Sequence, residues 1–272
     1  MLASCHLRID TSLKTNRKHL TAVYFFSALM ILMLIGTVQH AASQSDESRG
    51  SAINISGNIG ITNEGISIVP ALSLGEPAIL TNISIGNRFR FEPDFNFTIE
   101  GDPWQFLLWL RYNMIERDRF SFRAGIHPGY SFRKVQGVGP DTEEKETTEV
   151  LKFLAGDLST SYSLSETVDV GAYYLLGFGV ETAKPDQIQY VNLNAAIRQI
   201  QLNRQLFLNI SPQVYYLKVD ELDGFYVALN ITLGVRGIPV TLSSMFNKII
   251  DSDITGADDP LWNISLNYSF RF

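Results

Sequence analysis

The sequence predicts an all-β protein: a closed, antiparallel, up-and-down transmembrane β-barrel of about twelve strands, with ten to fourteen as the range. Three observations carry that prediction. From Ser51 onward, short segments alternate apolar and polar residues between turn residues, with no helical period. Charged residues make up only 18% of the chain and aromatics 11%, and mean hydropathy is +0.04. That balance suits a surface shown to lipid, with no helix-length apolar run in the body of the chain. Finally, the residues between the apolar ones are often charged, so each strand has one face fit for hydrocarbon and one for water.

At the amino terminus, Lys14, Arg17 and Lys18 precede an apolar run from Leu20 to Val38, and Ala41-Ala42-Ser43 offers a small-residue cleavage site. Residues 1–43 therefore read as a secretory signal peptide, 44–50 as a short extension and 51–272 as the barrel. The apolar run is longer than the usual signal core, which keeps an uncleaved helical anchor as the alternative. Removing the signal leaves 18 basic and 27 acidic residues. Such a chain is a poor nucleic-acid binder, because phosphate neutralisation needs clustered Lys and Arg. The single cysteine, Cys5, leaves with the signal, which excludes a disulfide or a thiolate metal site in the mature chain.

Segments 51–61, 66–74 and 79–85 each alternate well enough to be strands. Counting all three gives an odd total, whereas a bacterial single-chain barrel has an even number. The piece around Pro70 is the one to discard, since proline removes a ladder donor. Further strands are expected at 88–100, 104–115, 120–132, 151–162, 168–180, 188–198, 206–217, 225–235 and 238–249. The connections 134–149, 182–187, 219–224 and 251–260 are acidic or bear Gly and Pro, and 101–103 is short; those at 116–118, 163–167, 199–204 and 236–237 are mostly tighter.

The last strand runs from Leu261 to Phe272, with every second residue from Trp262 large and apolar and polar residues between. Tyr268, Phe270 and the final Phe272 stand at alternate positions. This stretch resembles the C-terminal assembly signal of Gram-negative outer-membrane β-barrel proteins. Asn267 departs from it where many such signals have Gly. The resemblance implies residence in the outer membrane, lipid and a barrel assembly machinery as partners, and Phe272 at the periplasmic rim. The connections 101–103, 134–149, 182–187, 219–224 and 251–260 then face outside.

Alternation on 88–100 puts Phe89, Phe91, Phe95 and Phe97 on one face and Arg88, Arg90, Glu92, Asp94 and Glu100 on the other. Charge at the bilayer midplane costs roughly 2–4 kcal/mol for Arg or Lys, so the charged face must line the lumen. The same parity sends Arg111, Arg123 and His127 inward. Together these residues predict a lumen lattice of opposite charges on neighbouring strands, which either stiffens a narrow barrel or forms a constriction selecting anionic solutes.

His127 is the only histidine left after signal removal, and a single histidine with no convergent acids makes no metal cluster. A His-x-Ser pair, common in outer-membrane lipases and deacylases, is absent from His127-Pro128-Gly129-Tyr130-Ser131. No catalytic residue, metal site or cofactor is therefore expected. The acidic run 137–149 reads as a solvated loop, lacking the Gly-punctuated spacing of a calcium loop. Asn-x-Ser/Thr triplets at Asn54, Asn82, Asn96, Asn209, Asn230 and Asn263 follow from polar alternation on strands. The expected function is a passive small-solute pore or a structural barrel. An outer-membrane enzyme acting on lipid or peptide and a soluble secreted β-domain binding a partner are the alternatives.

Overall fold

The computed structural model describes residues 53–138, 144–181, 183–256 and 258–272, with backbone alone at 136–138 and 144–146. The expected signal peptide and extension lie outside the described residues. Twelve strands follow in order: β1 Ile55–Thr62, β2 Ala78–Gly86, β3 Phe89–Thr98, β4 Pro103–Glu116, β5 Phe120–Val138, β6 Glu144–Ser163, β7 Val168–Val180, β8 Gln187–Gln201, β9 Leu206–Val219, β10 Leu222–Val235, β11 Val240–Ser252 and β12 Leu261–Arg271. Each pairs antiparallel with its neighbours in sequence, and β1 pairs with β12 from Ser56↔Arg271 to Thr62↔Ser265, closing the barrel. Closure leaves no edge strand, which is what a sheet in hydrocarbon requires.

Segment 66–74 is not a strand. Pro70, which has no N–H, opens a single 3-10 turn over Pro70–Leu72, with the Leu72 amide on the Val69 carbonyl at 2.9 Å. The strand total is thereby even. Two expected loops are largely ladder instead. The β5–β6 hairpin continues through the predicted loop 134–149 to Val138↔Glu144, and the β9–β10 ladder runs to Leu222↔Val219. In the first, Arg133 lies directly opposite Glu149 and donates to it at 2.6 Å, so opposite charges stabilise strand pairing where composition alone suggested a solvated loop.

The alternation expected from the sequence appears as two distinct surfaces. Phe89, Ile126, Leu193, Trp262 and Leu266 are each about half exposed on the outside. Glu92, His127, Asp157 and Asn192 are buried inside. An apolar belt of that extent on a soluble domain would be an association surface, whereas in a bilayer it is the solvent-matched face. Aromatics gather toward both ends: Phe95, Phe97 and Phe132 pack around Phe106 at ring separations of 5.1–5.3 Å, and Phe270 meets Phe272 near the chain end at 5.7 Å.

Candidate functional site: the barrel lumen

Strand parity delivers side chains from neighbouring strands to one level of the lumen. Arg111 of β4 sits at its centre. Its Nη1 donates to Glu92 Oε2 of β3 at 2.7 Å, and its Nη2 and Nε reach Asp157 Oδ2 of β6 at 3.0 Å. Arg90 and Arg123 stand 3.7 Å from opposite oxygens of Glu92, and Ser84 of β2 donates to Oε1 at 3.2 Å. The Arg111 guanidinium also lies 3.8 Å from the Trp109 ring centroid, and Trp109 is 3.9 Å from the His127 ring. Arg111 thus spans the lumen side of β5, between β4 and β6, where a side chain would obstruct it. A Cβ on Gly125 of β5 would come within 2.4 Å of Asp157 Oδ1 and 2.6 Å of Arg111 Cγ.

Glu92, Arg111 and Arg123 therefore lie together, with Arg90 at the margin. Asp94 stands apart from the ion pairs and accepts from the Asn82 amide. His127 is buried, with Nδ1 free of hydrogen bonds among the described residues. Two expected lattice members are placed elsewhere. Arg88 lies in the β2–β3 turn, where it donates to the Asn113 and Met114 carbonyls over the Tyr112 ring, and Glu100 lies exposed in the β3–β4 turn. Both fall beyond the strand because β3 covers only Phe89–Thr98, so lumen parity does not reach them. Tyr268 and Phe270 lie on β12, and Phe272 exchanges two backbone hydrogen bonds with Ile55. Asp157 completes the network and was not among the expected members; its position on the inward face of an expected strand was the available signal.

A second cluster fills the lumen beside the charges. Tyr190, Tyr215 and Tyr226 from β8, β9 and β10 stack in series at 5.1 and 4.8 Å, the latter pair within 8° of parallel. Their hydroxyls are held by Asn192, Asn247 and Ser252. Trp109, Phe153, Leu175 and Leu217 extend this core, and three connections add to it: Val69 and Leu72 from between β1 and β2, Ala183 from between β7 and β8, and Ile254 from between β11 and β12. A β-bulge between Asn96 and Phe97 sets Trp104 out of alternation, and its indole donates to the Leu72 carbonyl at 3.0 Å. The β1–β2 connection is therefore docked inside the barrel as a plug.

Along the opposite wall, recesses remain. One of about 220 Å³ is lined by Asn58, Asn82, Asp94, Asn96, Gln105 and Asn267, among others; another of about 150 Å³ lies near the chain end beside Ser56, Arg90 and Arg271. Trp104 borders both the first of these and a recess of about 260 Å³ at the far mouth. Each has room for a few waters or one small solute.

No family model matches the chain, and no curated protein matches it. Solved barrels do. The KdgM porin is 11% identical over 80% of this chain and 99% of its own, with a TM-score of 0.44. The NanC porin is 10% identical over 80% and 98%, at 0.42. OmpT, an outer membrane protein of Vibrio cholerae, is 8% identical over 83% and 100%, at 0.37. At these scores the resemblance adds nothing to the barrel the strands themselves form.

Proposed function

We propose that this protein is an integral outer-membrane β-barrel that passes only small solutes, and those poorly, with lipid and the barrel assembly machinery as its partners. Its sidedness follows the assembly-signal resemblance, with the C-terminal rim toward the periplasm. The reading rests on one observation: a barrel with an apolar exterior has its interior occupied by the docked β1–β2 connection, the tyrosine stack and the Arg111 network. An exterior of that kind supports membrane residence, and a filled interior supports low conductance over free diffusion. Against the enzyme alternative stands the position of His127, which is buried with its ring 3.9 Å from that of Trp109.

Purified protein in planar bilayers tests this. Wild type should show rare, small conductance steps, and Val69→Ser with Leu72→Ser, which weakens the apolar seat of the plug, should raise the frequency of larger ones. Large permanent openings in the wild type would refute the plugged reading. Complete silence in both proteins would leave a structural barrel. On a denaturing gel the folded protein should migrate differently before and after boiling; a detergent-independent band with unchanged migration would point to the soluble alternative.

A further inference from the structure

The two rims of the barrel carry different cations, apart from Arg133, which is paired with Glu149 toward the lysine-bearing rim. Arg117 and Arg119 lie in the β4–β5 turn, Arg204 in the β8–β9 turn, Arg236 in the β10–β11 turn and Arg271 at the end of β12. Arg88, in the β2–β3 turn, joins them on the same C-terminal rim. All six are exposed. The lysines with described side chains, Lys134, Lys152, Lys184, Lys218 and Lys248, all lie toward the opposite rim. There acids outnumber them, with Asp220, Glu221, Asp251, Asp253 and Asp258 among the exposed or half-exposed ones.

The rim arginines are largely uncommitted. Among the described residues no carboxylate stands within 4.0 Å of Arg117, Arg119, Arg204, Arg236 or Arg271; Arg198, nearby on β8, is paired with Asp169. They are also spread around the perimeter, one or two in each turn except β6–β7, and outnumber the exposed acids Glu116, Asp118 and Glu166 of the same rim, which matches a plane and not a single docked body. Their depth is marked by aromatics: Arg119 precedes Phe120, Arg271 lies between Phe270 and Phe272, and the Arg88 guanidinium sits 5.1 Å from the Tyr112 ring. Aromatic side chains in barrels occupy the interface between hydrocarbon and headgroups. Arginine presents a planar fork of donors that matches phosphate bidentately, which lysine cannot do.

We propose that the C-terminal rim is an arginine collar that binds the phosphodiester headgroups of anionic phospholipid in the leaflet it contacts. This inference rests on the membrane-barrel reading. The acidic opposite rim repels the same headgroups, so the collar also opposes inversion of the barrel across a bilayer whose leaflets differ in charge.

The test uses full-length folded protein reconstituted into phosphatidylcholine vesicles containing a trace of spin-labelled phosphatidylglycerol or spin-labelled phosphatidylcholine. The motionally restricted fraction of each label gives their relative association with the barrel. Phosphatidylglycerol should be preferred by about threefold or more at low salt, and the preference should fall toward unity in roughly 0.5 M sodium chloride. It should be lost in the variant Arg117→Gln, Arg119→Gln, Arg204→Gln, Arg236→Gln, and retained in Lys184→Gln, Lys218→Gln. All four arginines lie in turns, so heat-modifiable migration verifies that the variant is folded. Equal association of the two lipids with an inserted wild type overturns the collar, as does a preference that survives the quadruple substitution. Abolition by inorganic phosphate at an ionic strength where chloride has no effect would assign the arginines to a soluble anion and also overturns it. Protein that never enters the bilayer overturns the barrel reading itself, a result distinct from insertion without preference.

Discussion

At Arg111, one side chain bridges two carboxylates on different strands and stacks on Trp109, so its removal leaves Asp157 without its ion-pair partner and Glu92 with only the 3.7 Å contacts of Arg90 and Arg123. Breaking a buried ion pair by deleting one partner costs about 3–5 kcal/mol, largely the penalty of the charge left behind. Arg111→Ala should therefore lower unfolding stability by that order in urea titrations of the vesicle-reconstituted protein. Replacing the carboxylates in the same background, with Glu92→Gln and Asp157→Asn, should recover much of the loss. No recovery would mean that Arg111 acts by packing against Trp109 alone. The charged half of this constellation was legible in the sequence, because alternation on β3 and β5 assigns Glu92, Arg123 and His127 to one interior. Asp157 was equally visible as an inward position, but the one other charge of its segment, Lys152, falls on the opposite parity and drew no attention to it. The cross-strand registers that bring it to Arg111 are set by barrel closure and the β5 glycine, neither of which a one-dimensional pattern encodes.

Among the elements, strands with strict alternation were readable and connections were not. The stretch 66–74 shows why: Ile66, Ile68 and Leu72 alternate as a strand would, yet Pro70 turns the chain and buries Leu72 in the lumen. Acidic composition likewise concealed the extension of the β5–β6 hairpin, since ladder pairing between Arg133 and Glu149 depends on a partner strand. The connection between β11 and β12 lends itself to a test by pH. Asp259, on that connection, accepts from Lys248 Nζ at 2.6 Å and from the Ile249 amide at 3.2 Å, and the Lys248 hydrogen bond holds its carboxyl below the usual carboxylate range. A depressed folded-state value means that the tether is fully in force above the ordinary carboxylate pKa and is lost as pH falls through the lower one. Proteolysis within residues 253–258 should accelerate only in that acidic window, and Asp259→Asn should show the fast rate already at neutral pH. Equal rates for the two proteins at neutral pH would show that the hydrogen bonds do not restrain the segment.

For the molecule as a whole, the decisive property is its apolar exterior: the outward faces of the strands are apolar, while the interior holds both the charged network and the apolar seat of the plug. Ile126, on the outward face of β5 and half exposed, lies near the middle of the belt. Ile126→Arg should destabilise the bilayer-inserted protein by roughly 2–4 kcal/mol, read from unfolding titrations in vesicles. If β5 instead met water there, the change would fall within about 0.5 kcal/mol, as surface substitutions do.

The seam between β1 and β12 adds a dimension of time. Ile55 and Phe272 exchange backbone hydrogen bonds although nearly the whole described chain separates them, whereas every other strand pairs with a sequence neighbour. Loop-closure entropy makes such a contact the hardest to find and rewards it last. Until it forms, β1 and β12 are open edges able to pair with any strand that arrives. The closing seam is thus the interval in which a half-built barrel is exposed to the wrong partner, and the place where an assembly factor offering a temporary strand would have most to contribute.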